Sequence, residues 1–140
     1  MMRIAFDTNV LIDAFSKREG TEVAQKLVME VAEERAIGIV TANSITDLYY
    51  IIRKHLGDEA TRMAIWNILT VFDIATVDGE ACATALNLQM KDFEDAVLAV
   101  CAEREGAEYI ATRDQELIRC EYCPLEAYLP EDILKMLQDE

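Results

Sequence analysis

The sequence predicts an α/β domain built on a mainly parallel sheet, and three observations carry that prediction. Short apolar runs alternate with helix-length amphipathic stretches almost from end to end, which is the pattern of strand–helix–strand units. Two of the apolar runs are followed at once, or within two residues, by Asp7 and Asp114, where sheets of this kind carry their sites. The chain has 140 residues and is 52% hydrophobic, enough to bury a core without disulfides or a structural metal. No linker-like stretch, repeat or low-complexity segment divides it, so residues 1–140 read as one domain.

In order, Arg3 to Phe6 reads as a first strand and Asn9 to Phe15 as a short helix. Thr21 to Arg35 is an amphipathic helix, with Val23, Leu27, Val28 and Val31 on one face. Ile37 to Thr41 is a second strand. Ile45 to Leu56 is helical, with Ile45, Leu48, Tyr49 and Ile52 at core spacing. Gly57 ends that helix, and Asp58 is placed to cap the next one, through about Phe72. Asp73 to Val77 is a third strand, and Asp78 caps a helix reaching Leu88. Phe93 to Glu105 is a helix stopped by Gly106, and Glu108 to Thr112 is a fourth strand. Gln115 to Ile118 is one helical turn, Tyr122 to Tyr128 holds a short edge strand, and Pro130 opens a last helix over Glu131 to Leu137.

No apolar run approaches the length of a membrane span, and the start is too soon charged for a signal peptide, so the expected location is the cytoplasm. Cys82 and Cys101 lie in helical apolar patterns and read as buried thiols. Cys120 and Cys123 form a lone C-x-x-C that lacks the second pair or the histidines a zinc site wants, His55 being the single histidine. The net charge is −14, from 13 basic and 27 acidic residues. Such a balance argues against a nucleic-acid binder that works through a basic footprint. It does not argue against a protein whose carboxylates hold cations that meet the phosphate. An acidic surface also suits a basic protein partner, although most surface acids serve solubility.

Four acids stand out by position. Asp7 follows the first strand and Asp114 the fourth. Asp47 lies one turn into the helix after the second strand. Asp95 lies in the first turn of the helix that precedes the fourth. Taken singly, each has an ordinary explanation, because a carboxylate at a helix start is stabilised by free N–H groups and the helix dipole. Ser44 with Asp47, and Asp92 with Asp95, have capping-box spacing, with acids in place of the usual Glu or Gln. Taken together, converging carboxylates repel unless a cation sits among them, and hard oxygen donors favour Mg²⁺ or Mn²⁺.

With those residues in view, the chain resembles the PIN-domain family. Phe6-Asp-Thr-Asn-Val-Leu-Ile-Asp13 looks like the opening motif. Asp92-Phe-Glu-Asp95-Ala-Val97, followed by Gly106-Ala-Glu-Tyr-Ile-Ala-Thr-Arg-Asp114, looks like the third and fourth acidic motifs. The likeness covers nearly the whole chain, and its single-domain members include VapC-like toxins of toxin–antitoxin pairs. It implies a three-layer α/β/α PIN-like fold and a Mg²⁺- or Mn²⁺-dependent endoribonuclease that leaves 5′-phosphate and 3′-hydroxyl ends. Asp7, Asp47, Asp95 and Asp114 would be its metal-holding and catalytic acids. Two departures stand out. The second acid is Asp47 where many members have Glu, which shortens its reach. Glu116 and Leu117 occupy the place of a further acid and a Phe, leaving Glu116 an outer ligand. Thr8, Asn9, Ser44 and Thr112 would orient ligands or metal-bound water, whereas Asp13 and Asp92 are expected to cap or face solvent.

On this reading a divalent ion binds a phosphate oxygen and acidifies a water, and Asp7 or Asp95 accepts the proton. No histidine is needed, and His55 is expected at the surface. Arg53, Lys54 and Arg62 would either guide RNA phosphates or pair with Asp58 and Glu59. Tyr49, Tyr50 and Trp66 have the spacing of core or subunit packing, with base stacking as the alternative. The apolar residues of 45–72 spread over more than one helical face. That implies a homodimer, and the family resemblance adds a small antitoxin with a basic C-terminal segment. The competing readings are a noncatalytic PIN-like interaction module, or another small acidic α/β Mg²⁺-binding protein. A receiver domain wants a late Lys, and none lies between Lys91 and Lys135. A haloacid-dehalogenase-type phosphatase wants Asp-x-Asp, which Asn9 breaks.

Overall fold

The computed structural model describes residues 1–16 and 18–140. Among these, β1 (Arg3–Phe6) leads into α1 (Thr8–Ala14) and α2 (Glu22–Ala32), then β2 (Ile37–Thr41), α3 (Ala42–Val71) and β3 (Asp73–Ala75). The chain continues through α4 (Gly79–Asn87), α5 (Phe93–Arg104), β4 (Tyr109–Ala111), α6 (Gln115–Ile118), β5 (Glu126–Tyr128) and α7 (Pro130–Gln138). The strands form one sheet in the order β3-β2-β1-β4-β5, and every pairing is parallel. From β1 the chain builds outward to β2 and β3, then crosses back to lay β4 on the other side of β1. The order therefore reverses between β1 and β4, and the crevice beyond their carboxyl ends is where such a sheet opens a site.

Helices cover both faces, as a parallel sheet buried on two sides requires. The side chains of each strand alternate between the layers. Ile4, Phe6 and Val40 pack with α1, α2, α3 and α7 on one face. Ala5, Ile39 and Ile110 pack with α4 and α5 on the other. The contact residues of the second layer are mostly small, among them Ala81, Ala85, Ala96, Ala99 and Ala102. On the first face the ring of Phe72 lies across Gly38, where an added Cβ would stand 2.5 Å from it. Phe72 also meets Phe6 edge-on at 5.1 Å. The expected α/β/α architecture is thus observed, with the sheet entirely rather than mainly parallel.

Most element ends differ from expectation by one to three residues, and the start of one helix is informative. The helix after β2 starts at Ala42, directly at the end of the strand, with Thr41 in its N-cap position. It runs to Val71, but Gly57 has φ 77 and ψ 173, so two helical segments meet there at a break. Asp58 does not cap the second segment by a side-chain bond; its carboxylate pairs with Arg53 at 2.8 Å. Of the thiols, Cys101 is buried, whereas Cys82, Cys120 and Cys123 are half-buried, and all four are free. Among the described residues, no helix is long and apolar enough to cross a membrane.

Candidate metal centre

The end of β1 fixes Asp7. Its backbone N–H donates to the carbonyl of Ala111 at 2.9 Å, which extends the β1–β4 pairing by one residue. Its side chain caps α1, accepting from the Thr8 N–H at 2.8 Å. The second oxygen accepts from the Thr112 hydroxyl at 2.8 Å and from the Asn9 amide at 3.3 Å. Thr112 Oγ1 in turn accepts from the Asp114 N–H at 3.0 Å, so one buried threonine couples the ends of β1 and β4. Asp114 caps α6 through Oδ1, on the Glu116 N–H at 2.9 Å. The capping explanation is therefore true of both acids, and it occupies only part of their acceptor capacity.

Asp47 and Asp95 do not follow that pattern. Because α3 starts at Ala42, Ser44 is already its third residue and Asp47 lies a further turn along, so the Ser44–Asp47 capping box does not form. The Ser44 hydroxyl instead bonds to Thr41 at 2.8 Å and accepts from the Thr8 hydroxyl at 3.1 Å, tying α3 to α1. Asp95 is the acid end of a half-formed box. Its N–H donates to Asp92 at 3.1 Å, while its own carboxyl makes no hydrogen bond among the described residues. The helix α5 feeds β4, so its first turn lies over the carboxyl edge of the sheet, a side the sequence alone left open.

These elements bring Asp7, Asp47, Asp95 and Asp114 to one open cleft of about 550 Å³, joined by Asp92 and Glu94. Thr8 and Asn9 also line it. Glu116 lies outside, on an adjoining cleft. Crowded acids in a partly dry cleft hold their protons. Burial, followed by the charges of Asp7, Asp92, Asp114 and Glu94, pushes Asp95 up to about 7. Burial also raises Asp7, against the hydrogen bonds of Thr112 and Thr8. Glu94 is raised by burial and then by Asp47, Asp92 and Asp7. Glu94 had not been singled out from the sequence. Its signal was its place in a first helical turn beside Asp95, which becomes legible once that turn is known to overhang the sheet edge.

Asp13 corrects an expectation. It neither caps nor faces solvent: its side chain is 4% exposed and takes Arg113 Nε at 2.7 Å and Arg18 at 3.6 Å. Arg113 stands between Thr112 and Asp114, and its N–H donates to Asn9 at 3.2 Å. The Asp13–Arg113 pair thus fastens the loop that carries Asp114 to α1. Asp92 does cap, as expected, but it lines the cleft as well. Tyr50 is 58% exposed on the cleft rim, while Tyr49 packs against the core beneath it, with the Arg62 guanidinium 5.9 Å from its ring. Arg53 takes the ion-pair alternative.

The donor set suits a hard divalent cation. Every candidate ligand is a carboxylate oxygen, and the carboxyl of Asp95 has no competing hydrogen bond. Among the described residues, no three acidic, cysteine or histidine side chains converge closely enough to grip an ion together. The carboxylates line an open cleft and do not form a closed cage. A hard divalent cation bound in such a cleft would keep several of its waters.

The PIN domain family model matches residues 3–116. No curated protein sequence matches the chain. Among solved structures, it is similar to the Mycobacterium tuberculosis toxin VapC20, described as cleaving the sarcin–ricin loop. That match has 12% identity and a TM-score of 0.66, over 85% of this chain and 95% of that one. Rickettsia felis VapBC2, bound to a DNA fragment of its promoter, matches at 16% identity and TM-score 0.67, over 90% and 98% of the two chains. DNA-bound VapBC from Salmonella typhimurium matches at 13% and 0.65, over 93% and 99%. At these identities the likeness is one of fold.

Proposed function

This chain belongs to the PIN domain family, and from that premise we propose that it is a divalent-metal-dependent endoribonuclease, the toxin of a toxin–antitoxin pair. The observation that carries the reading is the meeting of Asp7, Asp47, Asp95 and Asp114 on one cleft at the carboxyl edge of a parallel sheet. In this reading those four acids hold Mg²⁺ or Mn²⁺. When bound, such an ion neutralises a phosphate oxygen and acidifies water. Thr112 and Asn9 fix the orientation of Asp7 through their hydrogen bonds, and Thr8 with Ser44 locks the two helices that flank it. One of the metal-holding carboxylates, Asp7 or Asp95, takes the proton from the attacking water in this reading. Glu116, on the neighbouring cleft, acts at most through water.

The same reading takes residues 1–140 as one PIN-like unit with RNA as substrate. An apolar groove of about 460 Å³, lined by Ile12, Phe15, Ile51, Ile52 and Leu56, runs between α1 and the first segment of α3, and His55 is at its edge. It would accept the apolar face of an antitoxin segment whose basic residues reach the acids. Met63, Trp66 and Leu69 are exposed along the second segment of α3 and would form a homodimer contact, which sedimentation as a monomer at high concentration would refute. The function is tested by incubating structured and single-stranded RNA with the protein in Mg²⁺ or Mn²⁺. Internal cleavage leaving 5′-phosphate ends, stopped by EDTA, is expected. Cleavage that survives full chelation would remove the metal mechanism, and RNA left whole in both ions would favour a noncatalytic PIN-like module.

A further inference from the structure

Beside the acidic cleft lies a second one, also of about 550 Å³, between the 88–92 loop and the stretch from α6 to residue 122. The two clefts share Asp92 and Asp95, so a strand held at the first can pass directly into the second. Its walls differ in chemistry from those of the first. Lys91 and Arg119 line it, and Tyr122, which is 54% exposed, stands at its edge.

Six of the twelve described Lys and Arg residues are committed elsewhere. Arg3, Arg18, Arg35, Arg53, Arg104 and Arg113 are each tied to a carboxylate. Among the described residues, neither Lys91 nor Arg119 forms a salt bridge, and both open onto this cleft. In a protein of net charge −14, two uncommitted cations beside the acidic cleft mark where a polyanion meets attraction. An exposed tyrosine at the same place offers a stacking face, and base stacking contributes about 1–3 kcal/mol per base. The cleft volume lies within the roughly 300–1,000 Å³ of small-ligand pockets, which suits one nucleotide and not a duplex.

We propose that this cleft is a subsite for single-stranded RNA, taking the nucleotide next to the cleaved bond, with its phosphate between Lys91 and Arg119 and its base on Tyr122. The inference rests on the ribonuclease reading and adds to it the direction in which the strand leaves the acids. Glu116 and Glu121 also line the cleft and oppose a phosphate. Attraction therefore prevails only when a divalent ion offsets the charge of Asp92 and Asp95, so RNA binding requires that ion.

The test is fluorescence anisotropy of a short labelled single-stranded RNA, in Ca²⁺ and in Mg²⁺, with RNA length checked on a gel. Lys91→Gln and Arg119→Gln should each weaken binding about 5- to 10-fold and lower the salt slope by roughly 0.7, the value for one phosphate contact on a single strand. Tyr122→Ala should weaken it by about 10-fold with the salt slope unchanged, and Tyr122→Phe should restore it. Mn²⁺ affinity and melting temperature should stay at the parent values, because none of the three side chains is buried. If the parent binds RNA and all these variants bind it equally well, the subsite is wrong and the ribonuclease reading stands. If the parent binds no RNA in either ion, both fall.

Discussion

Asp13 carries its charge in a nearly sealed place, and its two arginines determine what each substitution costs. Removing Arg113 leaves a buried carboxylate with only Arg18, 3.6 Å away. Arg113→Ala should therefore cost about 3 kcal/mol by denaturant unfolding. Asp13→Asn returns a half-exposed arginine to water and should cost only about 1 kcal/mol. Equal costs would mean that the Asp13 carboxylate is not sealed as described. Asp95 makes the opposite kind of prediction. Its carboxyl titrates near 7 in the folded protein and near 3.8 when unfolded, so the folded state binds more protons between those values. Its contribution to stability is full below about 4 and is lost as the pH rises through about 7. In EDTA at pH 8, Asp95→Asn should thus melt above the parent, and that advantage should vanish at pH 4. Water screening of this half-buried group keeps the gain to about 1 kcal/mol, or about 3 °C. A variant that melts below the parent at pH 8 would contradict the crowding of charge. The sequence made Asp7, Asp95 and Asp114 legible because each follows or begins an element, and Asp47 because it lies a turn or so past the end of a strand. Asp13 was not legible, since the partner that buries it lies a hundred residues away.

At the scale of the element, α3 is the instructive case. The glycine was read as a helix end and is one, but its conformation does more than stop the first segment. At φ 77 and ψ 173 it joins two helices without a loop, in a region that residues with a Cβ avoid. No atom lies within 4 Å of where that Cβ would stand. Gly57→Ala should accordingly cost about 1–3 kcal/mol through backbone strain alone. A melting curve that matches the parent would show that the break is not fixed by Gly57. The start of the same helix was misread because Ala42, Asn43 and Ser44 have no apolar periodicity. Thr41, the last strand residue, also holds the N-cap position without a side-chain capping bond, and no local pattern reveals a residue that closes one element and opens the next. The consequence reached the site: with the start moved, Asp47 lost its capping explanation and remained as a cleft acid.

At the scale of the whole molecule, strand order decides the site. Alternating strands and helices announced a parallel sheet, but only the reversal between β2 and β4 around β1 sets Asp7 beside Asp114. Only the return of α5 across the other face brings Asp95 and Glu94 over them. Such long-range placement leaves no mark in local periodicity, which is why the sequence could group the acids and could not choose an edge for Asp95. The crowding that follows, with six acids on one cleft, is costly to an empty carboxylate ring and favourable to a bound cation. Titration of Mn²⁺ followed by electron paramagnetic resonance tests this most directly. The parent should bind Mn²⁺ saturably, with Mg²⁺ competing. Asp7→Asn and Asp95→Asn should each weaken binding by about 10-fold or more while remaining folded. Saturable binding that is the same in the parent and both variants, or no binding in the parent, would contradict the assignment of these acids as a metal centre.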